Sequence, residues 1–159
     1  MQAGIPAWNS SEYGQRLSAQ KRGELVQVVA WMEERPVGKA MVLFPGHDEY
    51  SESAEREACG EVRDVGVIPE ARRRGVATAM IAALEASVRD RGMSRIGMSV
   101  SQDPDDAPAR DLYAKLGYVF AHGPYVKSAD LLGDDGHPIH VGAIMAYLTK
   151  PLGPRSVGI

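Results

Sequence analysis

The feature that most constrains the fold of this chain is a strand pattern, a basic turn and a helix pattern in direct succession. Residues Val62–Ile68 are typical of a strand that ends at a proline, and apolar residues recur at helical spacing over Gly75–Arg91. A further strand pattern covers Arg95–Val100. Two strands joined through one helix are expected to be parallel, with a right-handed crossover. The sequence therefore predicts a β-α-β unit.

The flanking segments predict further strands around this unit. Residues Leu25–Met32 and Val37–Phe44 are rich in β-branched and apolar residues and predict an antiparallel hairpin, preceded by a short helix that ends at Gly23. After the unit we expect a helix ending at Leu116, strands over Tyr118–Ala121 and His140–Leu148, and a polar loop over residues 127–138. The fold class is therefore α/β, with a mixed, mostly antiparallel sheet, a central parallel crossover and helices on both faces.

Length and charge exclude several classes of protein. The 159 residues are expected to form one domain, with a short N-terminal segment (residues 1–23), a core (24–150) and a tail (151–159). The formal net charge of −3 does not favour nucleic acid as a partner. No apolar run is long enough for a membrane span, and one cysteine gives no internal disulfide, so the expected location is the cytoplasm.

The turn between the first strand of the unit and its helix carries the most informative chemistry. It contains Arg72, Arg73 and Arg74, followed by Gly75 and, two residues on, Ala77. The first amides of a helix lack internal partners, and the helix dipole adds positive potential there. Small residues let an anion approach the backbone. The stretch lacks the lysine of a P-loop and the glycine pattern of a dinucleotide fold, and it predicts a pyrophosphate site.

A second motif, Leu112-Tyr113-Ala114-Lys115-Leu116-Gly117-Tyr118, follows downstream. With these two motifs, the chain resembles the GCN5-related N-acetyltransferase (GNAT) superfamily. The turn at residues 72–77 is similar to that family's acetyl-coenzyme A signature, Q/R-x-x-G-x-G/A. The later stretch is similar to its L-Y-x-K-x-G-F. The resemblance covers about residues 24–150, with both motifs in the family's order and separation.

The resemblance implies a site for acetyl-coenzyme A as co-substrate, without a metal. Backbone amides from Arg74 to Thr78 are expected to hold the pyrophosphate, and backbone groups of Val65 and Val67 to pair with the pantetheine arm, where the third and fourth strands separate. Lys115 is expected either to meet the phosphates of the coenzyme or to be a solvated helix residue. The expected cofactor-binding residues are Val65, Val67, Arg72, Arg73, Arg74, Gly75, Val76, Ala77, Thr78 and Lys115.

The resemblance also implies two catalytic residues. Tyr113 matches the tyrosine that protonates the departing thiolate in many members, and otherwise it is a core tyrosine on the apolar face of its helix. Glu61 lies where several relatives have a glutamate that acts as general base, directly or through water. Otherwise Glu61 is an exposed carboxylate at the end of the strand or pairs with Arg63, and Asp64 is the second candidate for the base. Strand alternation places Glu61, Arg63, Val65 and Val67 on one face and Asp64 on the other.

The expected reaction is transfer of an acetyl group to a primary amine by direct attack in a ternary complex. The acceptor is a small molecule or a peptide, and the acidic connection Pro45–Gly60 favours a cationic one. The alternative is a non-catalytic sensor or subunit that binds acyl-coenzyme A, which the short N-terminal segment favours, since the family usually has a strand and two helices before the first hairpin. The family also includes many homodimers.

Overall fold

The structure, a computed structural model, describes residues 10–153, so the N-terminal segment and the tail lie partly outside it. The described residues form four α-helices: α1 (Ser10–Lys21), α2 (Glu52–Glu57), α3 (Val76–Asp90) and α4 (Ala107–Lys115). They also form six strands: β1 (Leu25–Met32), β2 (Arg35–Leu43), β3 (Gly60–Val67), β4 (Arg95–Ser101), β5 (Val119–Leu132) and β6 (Pro138–Pro151). None of these helices is long and apolar enough to cross a membrane.

The strands form one mixed sheet in the order β1-β2-β3-β4-β6-β5, which confirms the predicted α/β class. Helix α3 follows β3 and precedes β4, as predicted for the β-α-β unit. The chain forms two compact units, which are described separately. The first unit runs to Ile96 and includes the residues from Pro151 onward, and the second is Gly97–Lys150.

In the first unit, helix α3 lies close against one face of the sheet because glycines leave room for it. A Cβ atom on Gly38 would lie 3.0 Å from the Met80 side chain, and one on Gly60 would lie 2.8 Å from that of Val88. Met80 and Val88 are buried on the apolar stripe of α3. This close approach sets the position at which α3 begins, and therefore the position of the basic turn.

The opposite face of the same strands packs against α1. Ala19 of α1 forms a buried cluster with Leu25, Met41 and Leu43, and Tyr50 packs against this cluster. On β3, Glu61 pairs with Leu43 and Arg63 pairs with Met41, so both charged side chains belong to this face. In this unit, Glu61 and Arg63 therefore lie on the face of β3 under α1, whereas Gly38 and Gly60 lie on the face under α3.

An irregularity in β3 changes the alternation that the sequence predicts. Between the pair Met41–Arg63 and the pair Lys39–Gly66, β3 has one residue more than β2, and Asp64 has a φ of 55°. Beyond this bulge Val67 pairs with Gly38, whose face contacts α3. The prediction that Val67 shares a face with Glu61 and Arg63 is therefore wrong, because the extra residue reverses the alternation.

In the second unit, β5 and β6 form a hairpin much longer than predicted. The strands pair from Val119–Thr149 to Leu132–Pro138, and Gly133 donates from its N–H to the carbonyl of His137, 2.8 Å away, in the turn. The prediction of a polar loop over residues 127–138 is therefore wrong. In the outer part of these strands, over residues 126–144, polar and apolar side chains are mixed on both faces and neither face is buried, so the usual alternation signal is absent there.

Candidate active site

The N-terminus of α3 presents backbone N–H groups that have no partner among the described residues. Gly75 is the N-cap, in the left-handed conformation (φ 80°, ψ 12°), with no side-chain cap. The first amide that closes a helical turn is that of Ala79, which donates to the carbonyl of Gly75 over 3.0 Å. Within residues 10–153, the N–H groups of Val76, Ala77 and Thr78 have no hydrogen-bond acceptor. These donors and the helix dipole attract an anion.

The turn before this helix is open and basic. A Cβ atom on Gly75 would meet nothing within 4 Å, and the side chains of Arg72–Arg74 are exposed. Arg73 also has a positive φ of 62°, so the backbone turns sharply before the helix begins. The Arg72 Nε atom donates to the carbonyl of Val67 over 3.2 Å, which holds the turn against the end of β3. This arrangement fits a diphosphate group, because space, amide donors and positive charge coincide.

Glu61 is buried and engaged in a network of hydrogen bonds. Its side chain is 1% exposed. The Oε1 atom accepts from Arg63 Nη2 (2.8 Å), from Arg63 Nε (3.0 Å) and from the Ser51 N–H (3.3 Å). The Ser51 hydroxyl donates to Oε2. Of the two alternatives to a base, the pairing of Glu61 with Arg63 is therefore found, whereas the exposed carboxylate is wrong, because the side chain is buried and held by these hydrogen bonds.

The same network fastens the acidic connection to β3. Ser51 is also the N-cap of α2, since its hydroxyl accepts from the Ala54 N–H over 3.1 Å. Arg63 Nη2 donates to the carbonyl of Glu49 over 2.7 Å, and the Tyr50 hydroxyl donates to the carbonyl of Cys59 over 2.5 Å. Partial burial, together with nearby acidic groups, raises the pKa of Tyr50 to about 12, which keeps this hydroxyl a donor at neutral pH.

Asp64, the second candidate for the base, belongs to a different contact. Its carboxylate accepts a hydrogen bond from Arg16 of α1 and forms an ion pair with it. Helix α1 packs on the face that holds Leu25 and Met41, so Asp64 reaches the side of the sheet opposite to the one expected from alternation. The bulge in β3 explains this placement, because it turns Asp64 out of the regular strand.

Tyr113 lies in the second unit, on α4. Burial raises the pKa of its phenol above the ordinary value of 10.0. Its ring meets that of Tyr118 edge to face, with centroids 6.2 Å apart. The Tyr113 hydroxyl makes no hydrogen bond to any residue in the described part of the chain. Tyr113 therefore offers a protonated hydroxyl that can donate to a ligand. Lys115 lies two residues further along the same helix, and its side chain is exposed.

Sequence reasoning missed the residues that hold Glu61, above all Ser51. The available signal was a serine directly before an acidic helical turn, which is typical of an N-cap. Over residues 10–153, the remaining reactive side chains form no further cluster of this kind. Cys59 is buried, His140 pairs with Asp130 over 2.8 Å, and the described residues hold no group of side chains suited to a metal ion.

Comparison with known proteins adds to this picture. A model of the acetyltransferase (GNAT) family matches residues 2–118. No curated protein matches the sequence. Solved structures with a similar fold include the ribosomal-protein-alanine N-acetyltransferase from Brucella melitensis (TM-score 0.63, 19% identity, 91% of this chain and 79% of that chain covered). Another is the ribosomal-protein-S18-alanine N-acetyltransferase from Escherichia coli (TM-score 0.59, 15% identity, 97% of this chain and 84% of that chain covered). A third is the PaiA N-acetyltransferase from Thermoplasma acidophilum in complex with coenzyme A (TM-score 0.60, 12% identity, 89% of this chain and 71% of that chain covered).

Proposed function

Because the chain belongs to the acetyltransferase (GNAT) family, we propose that it moves an acetyl group from acetyl-coenzyme A to a primary amine by direct attack in a ternary complex. The observation that carries this proposal is the N-terminus of α3. Three amides that find no acceptor in the described part of the chain follow an open glycine and three exposed arginines. An anion such as the diphosphate of the coenzyme would satisfy these donors without any rearrangement of the protein.

The residues around the turn would then hold the coenzyme. Amides from Arg74 to Thr78 would donate to the diphosphate, and the guanidinium groups of Arg73 and Arg74 would neutralise its charge. Backbone groups of Val65 and Val67 would pair with the pantetheine arm, and Lys115 would meet a phosphate. When bound, acetyl-coenzyme A supplies an activated acetyl group, so the protein has to supply position and proton transfer.

Tyr113 is the proposed general acid. Its burial raises the pKa of the phenol, so the hydroxyl stays protonated over the whole neutral range. Within the described residues the hydroxyl has no acceptor, so its proton is available to a thiolate. Positioned proton transfer of this kind typically accelerates a reaction by about 10²–10⁴-fold.

We propose that Glu61 holds the acidic connection in position and is not itself the general base. The bonds from Arg63 and Ser51 occupy both of its oxygens and hold the acidic connection in place. The proton of the attacking ammonium would then leave through solvent or through Asp64. A substitution at Glu61 that abolished only one limb of the pH profile would instead assign it as the base.

The acceptor is proposed to be a cationic amine. Asp48, Glu49, Glu52 and Glu55 are exposed on the connection that the Glu61 network fastens to β3. Exposed carboxylates held on a fixed backbone raise the local concentration of a polycation and increase its rate of encounter. This attraction weakens as salt is added.

The test is release of free thiol from acetyl-coenzyme A with a panel of amines. We expect polyamines, aminoglycosides or lysine peptides to be turned over with a higher kcat/KM than amines of single charge, and this advantage to fall with ionic strength. The Glu52→Gln/Glu55→Gln variant should lose the advantage, while Glu33→Gln/Glu34→Gln, on the β1–β2 turn, should keep it. Tight coenzyme binding without turnover of any amine would favour the non-catalytic alternative.

A further inference from the structure

Strand β3 contains a residue in a backbone conformation that strands normally exclude. Asp64 has a φ of 55°, which lies in the left-handed region. In the described part of the chain, the other non-glycine residues with a positive φ lie in turns or at the end of a helix. Asp64 is therefore the case in which a left-handed residue with a side chain is held inside a strand, and something has to hold it there.

The left-handed residue belongs to the bulge that interrupts the pairing of β2 with β3. Asp64 and Val65 together face Ala40 of β2. In bulges whose first residue is left-handed, that residue is typically glycine, because glycine has no Cβ atom. A bulge bends the strand and changes the direction of the residues that follow it. The conformation of Asp64 therefore sets the direction of the Val65 backbone.

Helix α1 supplies the contact that holds Asp64. The guanidinium of Arg16 donates a hydrogen bond to Oδ2 of Asp64 and forms an ion pair with it. The Arg16 side chain is only 15% exposed, so the pair is partly shielded from solvent. One turn later, the Gln20 side chain accepts a hydrogen bond from the Gln27 N–H over 3.0 Å, which fastens α1 to β1. The position of Arg16 is therefore fixed by the packing of α1.

We propose that Arg16 is a positioning residue for coenzyme binding: its ion pair keeps Asp64 left-handed, so that the bulge presents the Val65 backbone to the pantetheine arm. This inference rests on the proposed function, in which Val65 pairs with that arm. Without the ion pair, Asp64 would return towards an extended conformation, and the N–H and C=O groups of Val65 would turn away. The turn at Gly75 would keep its amide donors, because α3 packs on the other face of the sheet.

The test is calorimetric binding of two probes to the full chain. Coenzyme A carries the pantetheine arm, whereas ADP carries a diphosphate without that arm. We expect Arg16→Gln to raise the Kd of coenzyme A by about 10-fold, the factor by which a Cβ atom disfavours the left-handed conformation. The Kd of ADP should not change. Lys21→Gln is the matched control, since Lys21 is an exposed cation on the same helix, and it should change neither Kd.

Two substitutions at Asp64 separate positioning from a purely structural role. Glycine adopts a positive φ without an anchor, so Asp64→Gly should keep the native Kd for coenzyme A, and adding Arg16→Gln should have no further effect. Asp64→Ala removes the same carboxylate but keeps a Cβ atom, so its Kd should rise by about 10-fold. An ion pair that only stabilised the fold would give both variants the same affinity. Binding is measured because Asp64 also offers a route for the proton of the acceptor.

The results distinguish failure of this inference from failure of the proposed function. If the native chain does not bind coenzyme A, the proposed function is wrong, and the inference is wrong with it. If the native chain binds but Arg16→Gln leaves the Kd unchanged or weakens both probes equally, only the positioning role is overturned. Equal coenzyme affinity in Asp64→Gly and Asp64→Ala has the same consequence.

Discussion

Replacing Glu61 by glutamine tests the network that fastens the acidic connection to β3. The glutamine keeps the size of the side chain but removes its charge, which leaves the Arg63 guanidinium without its carboxylate. Breaking a buried ion pair by removing one partner costs about 3–5 kcal/mol. The loss should be smaller here, because Arg63 is 22% exposed and keeps its hydrogen bond to the carbonyl of Glu49. We therefore expect the free energy of unfolding to fall by about 2–4 kcal/mol.

The assay is urea unfolding followed by circular dichroism, in a double-mutant cycle with Arg63→Gln. The two single variants should be coupled by about 1–3 kcal/mol, because they share one interaction. Glu70→Gln is the control, since Glu70 and Arg35 form an exposed pair 4.0 Å apart that is worth about 0–1 kcal/mol. A loss below about 1 kcal/mol at Glu61, or no coupling to Arg63, would refute the reasoning.

The Glu61→Gln variant also distinguishes between two roles of Glu61, which are positioning of the acidic connection and proton transfer. If Glu61 holds the acidic connection, Glu61→Gln should raise the KM for the amine, and the pH profile of kcat should keep its shape. If Glu61 is the base, kcat should fall by about 10²-fold or more and the acidic limb of the profile should disappear. The two roles therefore differ in an observable that general instability does not change.

Three further substitutions test other parts of the molecule. Tyr113→Phe should lower kcat by about 10²-fold and leave the affinity for the coenzyme unchanged. In the native enzyme, the alkaline loss of activity should lie above pH 10.0, because burial raises the pKa of this phenol. Gly75→Glu should abolish coenzyme binding in calorimetry, whereas Gly92→Glu, with a similar φ (86°) and equally open space at the other end of α3, should not. Gly60→Ala should lower the free energy of unfolding by about 1–3 kcal/mol, because its Cβ meets Val88. Full activity in the first variant, full binding in the second or native stability in the third would contradict the corresponding assignment.

The helix of the β-α-β unit could be predicted because its signals are local. The predicted helix over Gly75–Arg91 is found at Val76–Asp90, with Gly75 as its cap. The helix has three signals: the spacing of its apolar residues, a glycine at its start and a glycine at its end. Each depends on only a few neighbouring residues, so it can be recognised without knowledge of the fold. The short helix after Ser51 has a local signal of the same kind, a serine N-cap directly before acidic residues.

The outer hairpin could not be predicted, because its signals are not local. Strand prediction depends on one buried and one solvated face, and the residues around Lys127 and Asp130 have neither face buried. Backbone pairing with residues 138–143 holds them extended.

The start of α3 can be read from the local sequence, because only a residue such as Gly75 adopts a positive φ at little cost and because the first amides of any helix lack internal partners. The pairing of Glu61 with Arg63, two residues away, was also open to sequence reasoning. The burial of Glu61, its bonds from Ser51 and the contact between Asp64 and Arg16 depend on the tertiary structure. One extra residue in β3 reverses the side on which later residues lie, and the partners Ser51 and Arg16 are distant along the chain. Whether a carboxylate is buried and paired depends on such long-range contacts, which neighbouring residues do not encode.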